Sequence, residues 1–195
     1  PRAATGDRTR NSIMSAEDRN KWNQRYAEGS YRKTNPVSLL TDWLPQLPVG
    51  KALDVACGAG RNAIFLAEAG FQVDAIDISH EGLQQTAKKA AAQGLAVNCI
   101  EHDLEQPYDF ATDYDVIVVL WYVNLKLISQ LCDCLAPGGI LLCEEHLNSE
   151  QEVIGPGNPD FRVAPEALRN AVATLEILAY EEVVAAIPEG GQLAS

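Results

Sequence analysis

The chain has 195 residues, 47% of them hydrophobic, and this length and composition fit one globular domain with a core of its own. With a net charge of −12, it offers few clustered Lys and Arg to a phosphate backbone or an anionic lipid surface, so we expect neither nucleic acid nor a membrane as partner. No apolar run reaches the roughly 20 residues of a spanning helix. We expect a cytoplasmic protein that is a monomer or a weak homodimer.

Five cysteines, an odd number, lie mostly inside apolar segments, which predicts reduced thiols rather than a disulfide framework. Cys132 and Cys134 are two positions apart on a predicted helix, so they point to different faces and do not form a metal site. We therefore predict no bound metal.

Residues 1–14 show no periodicity and end at Met14, the only methionine of the chain. We interpret them as a leader that is disordered or of non-native origin, and we place the domain at 15–195. A capping pattern at Ser15 predicts a helix through Tyr26, and Asn35-Pro36 predicts the start of a second helix.

After Gly50 short apolar strands alternate with helices, which is typical of a doubly wound, mostly parallel α/β sheet. The tail after residue 146 is rich in Gly, Pro and Asn, and we expect it to pack against the sheet edge. The predicted strands are 51–56, 72–77, 96–101, 114–120, 139–145 and about 174–184. The predicted helices after Gly50 are 61–69, 80–93, 124–135 and 165–172.

The most informative segment is LDVACGAGRNAIFLA, in which an apolar strand runs through a glycine turn into a helix. Gly58 and Gly60 allow a sharp bend and a close ligand, and the helix start presents free N–H groups to an anion. This pattern also fits a nicotinamide dinucleotide site. Arg61 and Asn62 either contact a ligand carboxylate or face solvent.

Carboxylates follow three successive strands. Asp54 precedes the glycine turn, where it would repel a pyrophosphate and attract an ammonium group. Asp77 ends the second strand within reach of a ribose diol. Asp103 can accept a hydrogen bond from an adenine amino group while Leu104 packs against the ring. Together these positions predict a site for a nucleotide that carries an amino acid.

The same segments carry a family resemblance. DVACGAGRN, VDAIDIS, EHDLEQP, YDVIVVLWYVN and LAPGGILLCEEH resemble the class I S-adenosylmethionine-dependent methyltransferases. Trp22, Tyr26 and the late segment FRVAPEALRN resemble the small-molecule branch near the tellurite-resistance methyltransferases. The resemblance extends over about 22–184.

The resemblance implies a Rossmann-like sheet of seven strands with the last one antiparallel, and we expect that strand to be short or incomplete because only 191–195 remain for it. It implies S-adenosyl-L-methionine as cofactor and a small-molecule acceptor, and WYVN in place of an Asn-Pro-Pro-aromatic signature favours a soft one, a thiol or a chalcogen oxyanion. The candidate cofactor contacts are Trp22, Asp54, Cys57, Gly58, Gly60, Arg61, Asn62, Asp77, Ile78, Asp103, Leu104 and Leu120.

No dedicated catalytic base stands out, and three residues are weak candidates for catalysis. His146 is either a base or a surface residue at a strand end. Arg162 either binds an anionic substrate or is a solvated loop residue. Tyr122, with Trp121, either offers an aromatic face to a sulfonium or packs in the core.

Two other functions remain open at this point. A nicotinamide-dependent oxidoreductase fits the glycine turn and Asp77, although Asp54 and the LAPGG turn disfavour it. A catalytically silent module that only binds the cofactor has the same motifs. Cofactor titration distinguishes the first alternative, and turnover distinguishes the second.

Overall fold

The computed structural model describes residues 6–29, 34–186 and 192–195. Three short 3-10 helices accompany the regular elements, at Leu44–Gln46, Cys132–Cys134 and Pro159–Phe161. Within the described ranges the helices are α1 (Gly6–Ala27), α2 (Ser38–Trp43), α3 (Arg61–Glu68), α4 (His80–Gln93), α5 (Leu125–Leu131) and α6 (Ala167–Ala171). The strands are β1 (Lys51–Val55), β2 (Gln72–Asp77), β3 (Val97–Glu101), β4 (Tyr114–Leu120), β5 (Leu135–Glu144), β6 (Val184–Ala186) and β7 (Gln192–Ala194).

The main sheet has the order β3-β2-β1-β4-β5, and all its strands are parallel. The chain therefore starts in the centre, builds one half of the sheet outward, and returns to build the other half from β4. In such a sheet, ligands bind at the carboxyl ends of the strands beside this reversal. The predicted α/β parallel architecture is confirmed.

The core lies on both faces of this sheet. Along β4, Val116 and Val118 belong to one apolar cluster, while Ile117 and Val119 belong to the other. All four side chains are fully buried, because side chains of a strand alternate between faces and both faces are covered. The first cluster includes residues of α2 and α3, and the second includes residues of α5.

The predicted seven-stranded sheet is not found among the described residues, whose main sheet has five strands. β6 and β7 pair antiparallel with each other in a separate two-stranded sheet. The Ala194 carbonyl accepts a hydrogen bond from the Leu147 N–H, so β7 meets the chain just after β5. The strand predicted over 174–184 is wrong for 174–183, where Ile177 and Leu178 are exposed and pair with no strand.

Helix α1 begins at Gly6, so the predicted start at Ser15 is wrong. No Gly or Pro, the residues that most disfavour a helix interior, occurs between Gly6 and Gly29. Whether 1–14 is a leader stays a prediction. None of the described helices combines the length and hydrophobicity needed to cross a bilayer.

Helix α1 docks on the start of α4 through polar contacts. The Asn23 Oδ1 atom accepts a hydrogen bond from the Ser79 hydroxyl at 2.8 Å and one from the Glu81 N–H at 3.2 Å. The Gln85 amide donates to the Tyr26 carbonyl at 3.1 Å. These bonds hold the second half of α1 beside the carboxyl edge of the main sheet.

Candidate functional site

The glycine turn between β1 and α3 has a backbone that only glycine adopts easily. Gly58 and Gly60 have φ angles of +57° and +75°. A Cβ atom on Gly58 would collide with the Tyr26 hydroxyl, and one on Gly60 would collide with the Thr86 side chain. The glycine turn therefore packs directly against α1 and α4.

Asp77 fastens the end of β2 to this turn. Its Oδ2 atom accepts a hydrogen bond from the Gly58 N–H at 2.8 Å, and its Oδ1 atom accepts one from the Ser79 N–H at 2.7 Å. Burial raises the pKa of Asp77, and the backbone hydrogen bonds oppose that rise. Each carboxylate oxygen keeps a further lone pair, which is what a ribose diol requires.

A cleft of about 670 Å³ opens at the carboxyl edge of the main sheet, a volume typical of small-molecule sites. It brings together the ends of β2 and β4, the segments that follow β1, β2, β3 and β4, helix α1 and the 156–161 segment. The lining residues that the sequence predicted are Trp22, Cys57, Gly58, Arg61, Asn62, Asp77, Ile78, Asp103, Leu104, Leu120, Tyr122 and His146. Asp54, Gly60 and Arg162 are not part of the lining.

Asp54 lies behind the turn, where it is 1% exposed. Burial, followed by the charge of Asp77, raises the pKa of Asp54 to about 7, against the hydrogen bond from the Ala63 N–H and the charge of Arg61. Its Oδ2 atom has no hydrogen-bond partner within the described part of the chain. Its direct contact with a ligand ammonium group stays a prediction.

The loop after β3 contributes Asp103 and Leu104 to the lining of the cleft. Asp103 is buried and accepts a hydrogen bond from the Glu105 N–H at 3.0 Å through Oδ1. Its carbonyl accepts another from the Gln106 N–H at 2.8 Å, which closes a tight turn. Leu104 is buried beside it and lines the cleft. An acid next to an apolar surface is the arrangement predicted for an adenine ring.

Trp121 turns the chain sharply after β4. It has a φ angle of +68°, which is unusual for a residue other than glycine, and its N–H donates to the Glu144 carbonyl at 2.8 Å. Its ring centroid lies 4.5 Å from that of His146. Both rings line the cleft.

Tyr122 is fixed by two carboxylates. Its N–H donates to Glu145 Oε1 at 2.9 Å, and its hydroxyl donates to Glu105 Oε1 at 2.8 Å. Burial and the Glu105 charge raise the pKa of Tyr122 far above its usual value. The shift favours the protonated phenol, which donates its hydrogen bond to Glu105.

Glu145 is a residue that the sequence reasoning missed as part of this region. It is 1% exposed, and burial raises the pKa of Glu145 to about 8. As the second of two consecutive acids at a strand end, it gave no signal that it would turn inward. Its carboxyl group accepts the hydrogen bond from the Tyr122 N–H and so holds the turn formed by Trp121 and Tyr122, here called the aromatic turn.

Arg162, proposed above as an anion-binding residue, points away from the cleft. Its guanidinium donates to three backbone carbonyls, those of Pro156, Leu147 and Ile154. Neither reading of Arg162 from sequence, a substrate ligand or a solvated side chain, describes this arrangement. These three hydrogen bonds connect Arg162 to backbone positions whose proximity the sequence does not indicate.

Two further parts of the lining were missed from sequence. The first is Asp18 and Lys21 on α1, beside the predicted Trp22, and the second is the segment from Pro156 to Phe161. Lys21 Nζ lies 5.9 Å from the centroid of the Phe161 ring, so the two parts approach each other across the cleft. The loop had no periodicity that would have marked it as part of a site.

The thiols show no sign of metal or redox chemistry within the described residues. All five cysteines are free, and no grouping of three or more metal-ligating side chains occurs in the described ranges. Burial raises the pKa of Cys57 far above its usual value, so its thiol in the glycine turn is a poor nucleophile. Cys57 fills space at the turn.

Comparison with known proteins identifies a domain within the chain. Residues 52–139 match the family model described as a methyltransferase domain. These residues form a methyltransferase domain. The chain as a whole is similar to TehB from Haemophilus influenzae, to which it is 20% identical. The crystal structure of TehB superposes with a TM-score of 0.71 over 87% of this chain and 63% of that one. At this identity, the likeness shows a shared fold.

Curated relatives of the methyltransferase domain are named for different activities. The ubiquinone biosynthesis O-methyltransferase of Rickettsia felis is 30% identical over 63% of this chain and 54% of its own length. Hemagglutinin 1 of Eikenella corrodens is 30% identical over 82% of this chain and 55% of its own length. The chain thus spans about half the length of these two relatives.

The residues around the turn fit S-adenosylmethionine, the cofactor of this domain class. Gly58, Asp77 and Asp103 with Leu104 all line the cleft, which suits a ligand that carries an amino acid, a ribose and an adenine. Arg61 at the start of α3 lines the end of the cleft where a carboxylate belongs.

Proposed function

We propose that this chain transfers a methyl group from S-adenosylmethionine to a small-molecule acceptor. The carrying observation is the Asp77 carboxylate, which ties the glycine turn to β2 while lining a cleft of about 670 Å³. When bound, S-adenosylmethionine supplies an electrophilic methyl group on a sulfonium, and the departing thioether needs no proton.

In this proposal the residues of the chain act by positioning. Asp77 holds the ribose, Asp103 and Leu104 hold the adenine, and Arg61 holds the carboxylate of the tail. Fixing two reactants in line can contribute roughly 7 to 11 kcal/mol to a bimolecular reaction. Trp121 offers an aromatic face to a sulfonium, an attraction of about 0.5 to 2 kcal/mol.

The charges of the cleft favour a thiol over a chalcogen oxyanion as acceptor. The described lining holds two cations, Lys21 and Arg61, and five carboxylates, namely Asp18, Asp77, Asp103, Glu105 and Asp160. Because Arg162 is turned away, a doubly charged oxyanion would meet mainly repulsion. A thiolate carries only one negative charge and meets less repulsion. Its sulfur forms the new bond to the methyl carbon as the bond from that carbon to the sulfonium sulfur breaks, and a thiol that enters protonated first loses its proton to His146 or solvent.

Binding and turnover test this function separately. Calorimetry on dialysed protein should show binding of S-adenosylhomocysteine and none of NADH, and the reverse would replace the proposal with an oxidoreductase. Incubation with S-adenosylmethionine and 4-nitrothiophenol, selenite, tellurite or an amine should release S-adenosylhomocysteine fastest with the thiol. Tight binding without turnover on any acceptor would make the chain a silent cofactor-binding module.

The setting of the reaction is part of the proposal. Five free cysteines suit a reducing compartment, and we place the protein in the cytoplasm on that ground. The net charge of −12 supports a protein that uses neither nucleic acid nor a membrane surface as partner.

A further inference from the structure

The guanidinium of Arg162 joins the segment directly after β5 to the loop at 154–156. Nη1 donates to the Leu147 carbonyl at 2.9 Å, directly after His146 at the end of the β5 segment. Nε donates to the Pro156 carbonyl at 2.9 Å, and Nη2 donates to the Ile154 carbonyl at 3.3 Å. A planar group with five N–H donors can make all three bonds at once, which the compact ammonium of a lysine does less well.

The loop that Arg162 holds continues into a wall of the cleft. Pro156, Asn158, Asp160 and Phe161 all line it. Further backbone bonds frame the same region, because the Val163 N–H donates to the His146 carbonyl at 2.7 Å. The loop and the end of β5 therefore form one hydrogen-bonded unit beside the aromatic turn.

Gly155 shows how closely this unit fits around His146. A Cβ atom at this position would lie 2.9 Å from the His146 ring and 3.2 Å from Arg162 Nη2. Its φ angle of +120° also belongs to glycine. The loop backbone thus packs directly on the imidazole, which also packs on Trp121.

We propose that Arg162 is a positioning residue for methyl transfer: it holds the 154–161 loop against His146 and so fixes the wall that meets the acceptor. Three backbone carbonyls already occupy its guanidinium, which argues against its binding a substrate anion. The inference rests on the proposed function, because it assigns this wall to the acceptor side. The cofactor side, around Asp77 and Gly58, makes no contact with Arg162 among the hydrogen bonds described.

The first test compares binding and turnover in Arg162→Ala. With 4-nitrothiophenol as acceptor, we expect KM for the thiol to rise about tenfold while kcat changes less than about threefold, because only the wall is disturbed. The dissociation constant of S-adenosylhomocysteine should stay within about twofold. Added methylguanidinium should lower the KM again by filling the gap. An unchanged KM, or a fall in kcat alone without rescue, would overturn the proposal.

The matched control is Arg169→Ala. Arg169 is an exposed arginine on α6 whose Nη1 atom lies 3.5 Å from Glu166. It contributes no atom to the cleft lining, so we expect both kinetic constants to stay at the parent values. A KM rise in this variant equal to that of Arg162→Ala would show a general effect of lost charge and contradict the inference.

Gly155→Ala provides a variant that keeps the guanidinium. Its methyl group would push the loop away from His146, so the same rise in KM is expected with the cofactor still bound. Hydrogen exchange tests the inference without any acceptor. Arg162→Ala should lose protection about tenfold at Ile154, whose N–H donates to the Gln192 carbonyl, and keep it in β1.

The two proposals fail in different ways. If the parent protein binds no S-adenosylhomocysteine, the proposed function fails, whatever the exchange data show. If the cofactor binds and the Arg162→Ala loop keeps full protection, the proposed function stands and the role of Arg162 falls.

Discussion

Asp77 accepts a hydrogen bond at 2.8 Å from the N–H of Gly58, a residue 19 positions earlier in the chain. Because this bond joins the end of β2 to the turn after β1, Asp77→Ala removes a ribose acceptor and loosens the turn together. We expect S-adenosylhomocysteine to bind more weakly, with a loss of about 1.5 to 3 kcal/mol in binding free energy, the contribution of a charged hydrogen bond. Calorimetry measures it. Asp133→Asn, an exposed acid outside the cleft, should leave the binding free energy unchanged.

Gly60→Ala should destabilise the fold by more than the cost of placing an alanine at a positive φ angle, because the new methyl group also collides with a neighbouring side chain. The new Cβ would collide with Thr86 at a φ of +75°, and we expect a loss of about 3 kcal/mol or more in the free energy of unfolding. Gly94→Ala is the matched control, because Gly94 has a φ of +68° and no atom within 4 Å of a Cβ. It should lose only about 1 kcal/mol. Urea unfolding measures both variants, and an equal loss of unfolding free energy in the two would refute the predicted collision with Thr86.

Glu145 should make the fold less stable as the pH rises. The pKa of Glu145 is about 8 when folded and 4.5 ordinarily, so between these values only the unfolded chain is ionised. Stability then falls as pH rises from 4.5 to 8 and levels off above that. Glu145→Gln keeps an acceptor for the Tyr122 N–H and should gain roughly 2 kcal/mol over the parent at pH 8, with little change at pH 5.

Thermal unfolding across this pH range measures the effect. Glu152→Gln, at an exposed position, is the control and should follow the parent curve. A Glu145→Gln variant that loses stability at pH 8 would show that the carboxylate is needed in its charged form.

Tyr122→Phe should leave the pH dependence of turnover unchanged. Its phenol donates to Glu105 and stays protonated, so it takes no proton from an acceptor. We expect kcat to stay within about threefold, and the free energy of unfolding to fall by about 1 kcal/mol for the lost hydrogen bond. Tyr108→Phe, at a partly exposed tyrosine, is the control. Loss of the alkaline limb of the pH profile in Tyr122→Phe alone would assign proton transfer to the phenol.

The sequence predicted those parts of the molecule that depend on local pattern. The strand and helix on either side of Gly58 and Gly60 follow from apolar alternation and from turn chemistry, and the position of Asp77 follows from the parallel sheet. Parallel strand ends share an edge, which is why acids distant in sequence could be expected near one cleft.

Other features depend on contacts that no local pattern encodes. The hydrogen bonds of the Arg162 side chain were not predicted because its three partners are backbone carbonyls, which carry no sequence signature. Glu145 was not assigned to the site, because its contact with the Tyr122 N–H depends on the left-handed turn at Trp121. The edge of the sheet was mispredicted because β7 pairs with β6 rather than with the main sheet.

The central place of β1 affects the order in which the protein can be assembled. β1 pairs with β2 on one side and with β4 on the other, and both partners come later in the chain. During synthesis, its second row of hydrogen bonds cannot close before Leu120 has left the ribosome. Such long-range parallel pairing slows folding. The cleft beside β1 is therefore complete only after β4 has paired, so a ligand bound there can stabilise the finished sheet but cannot nucleate it.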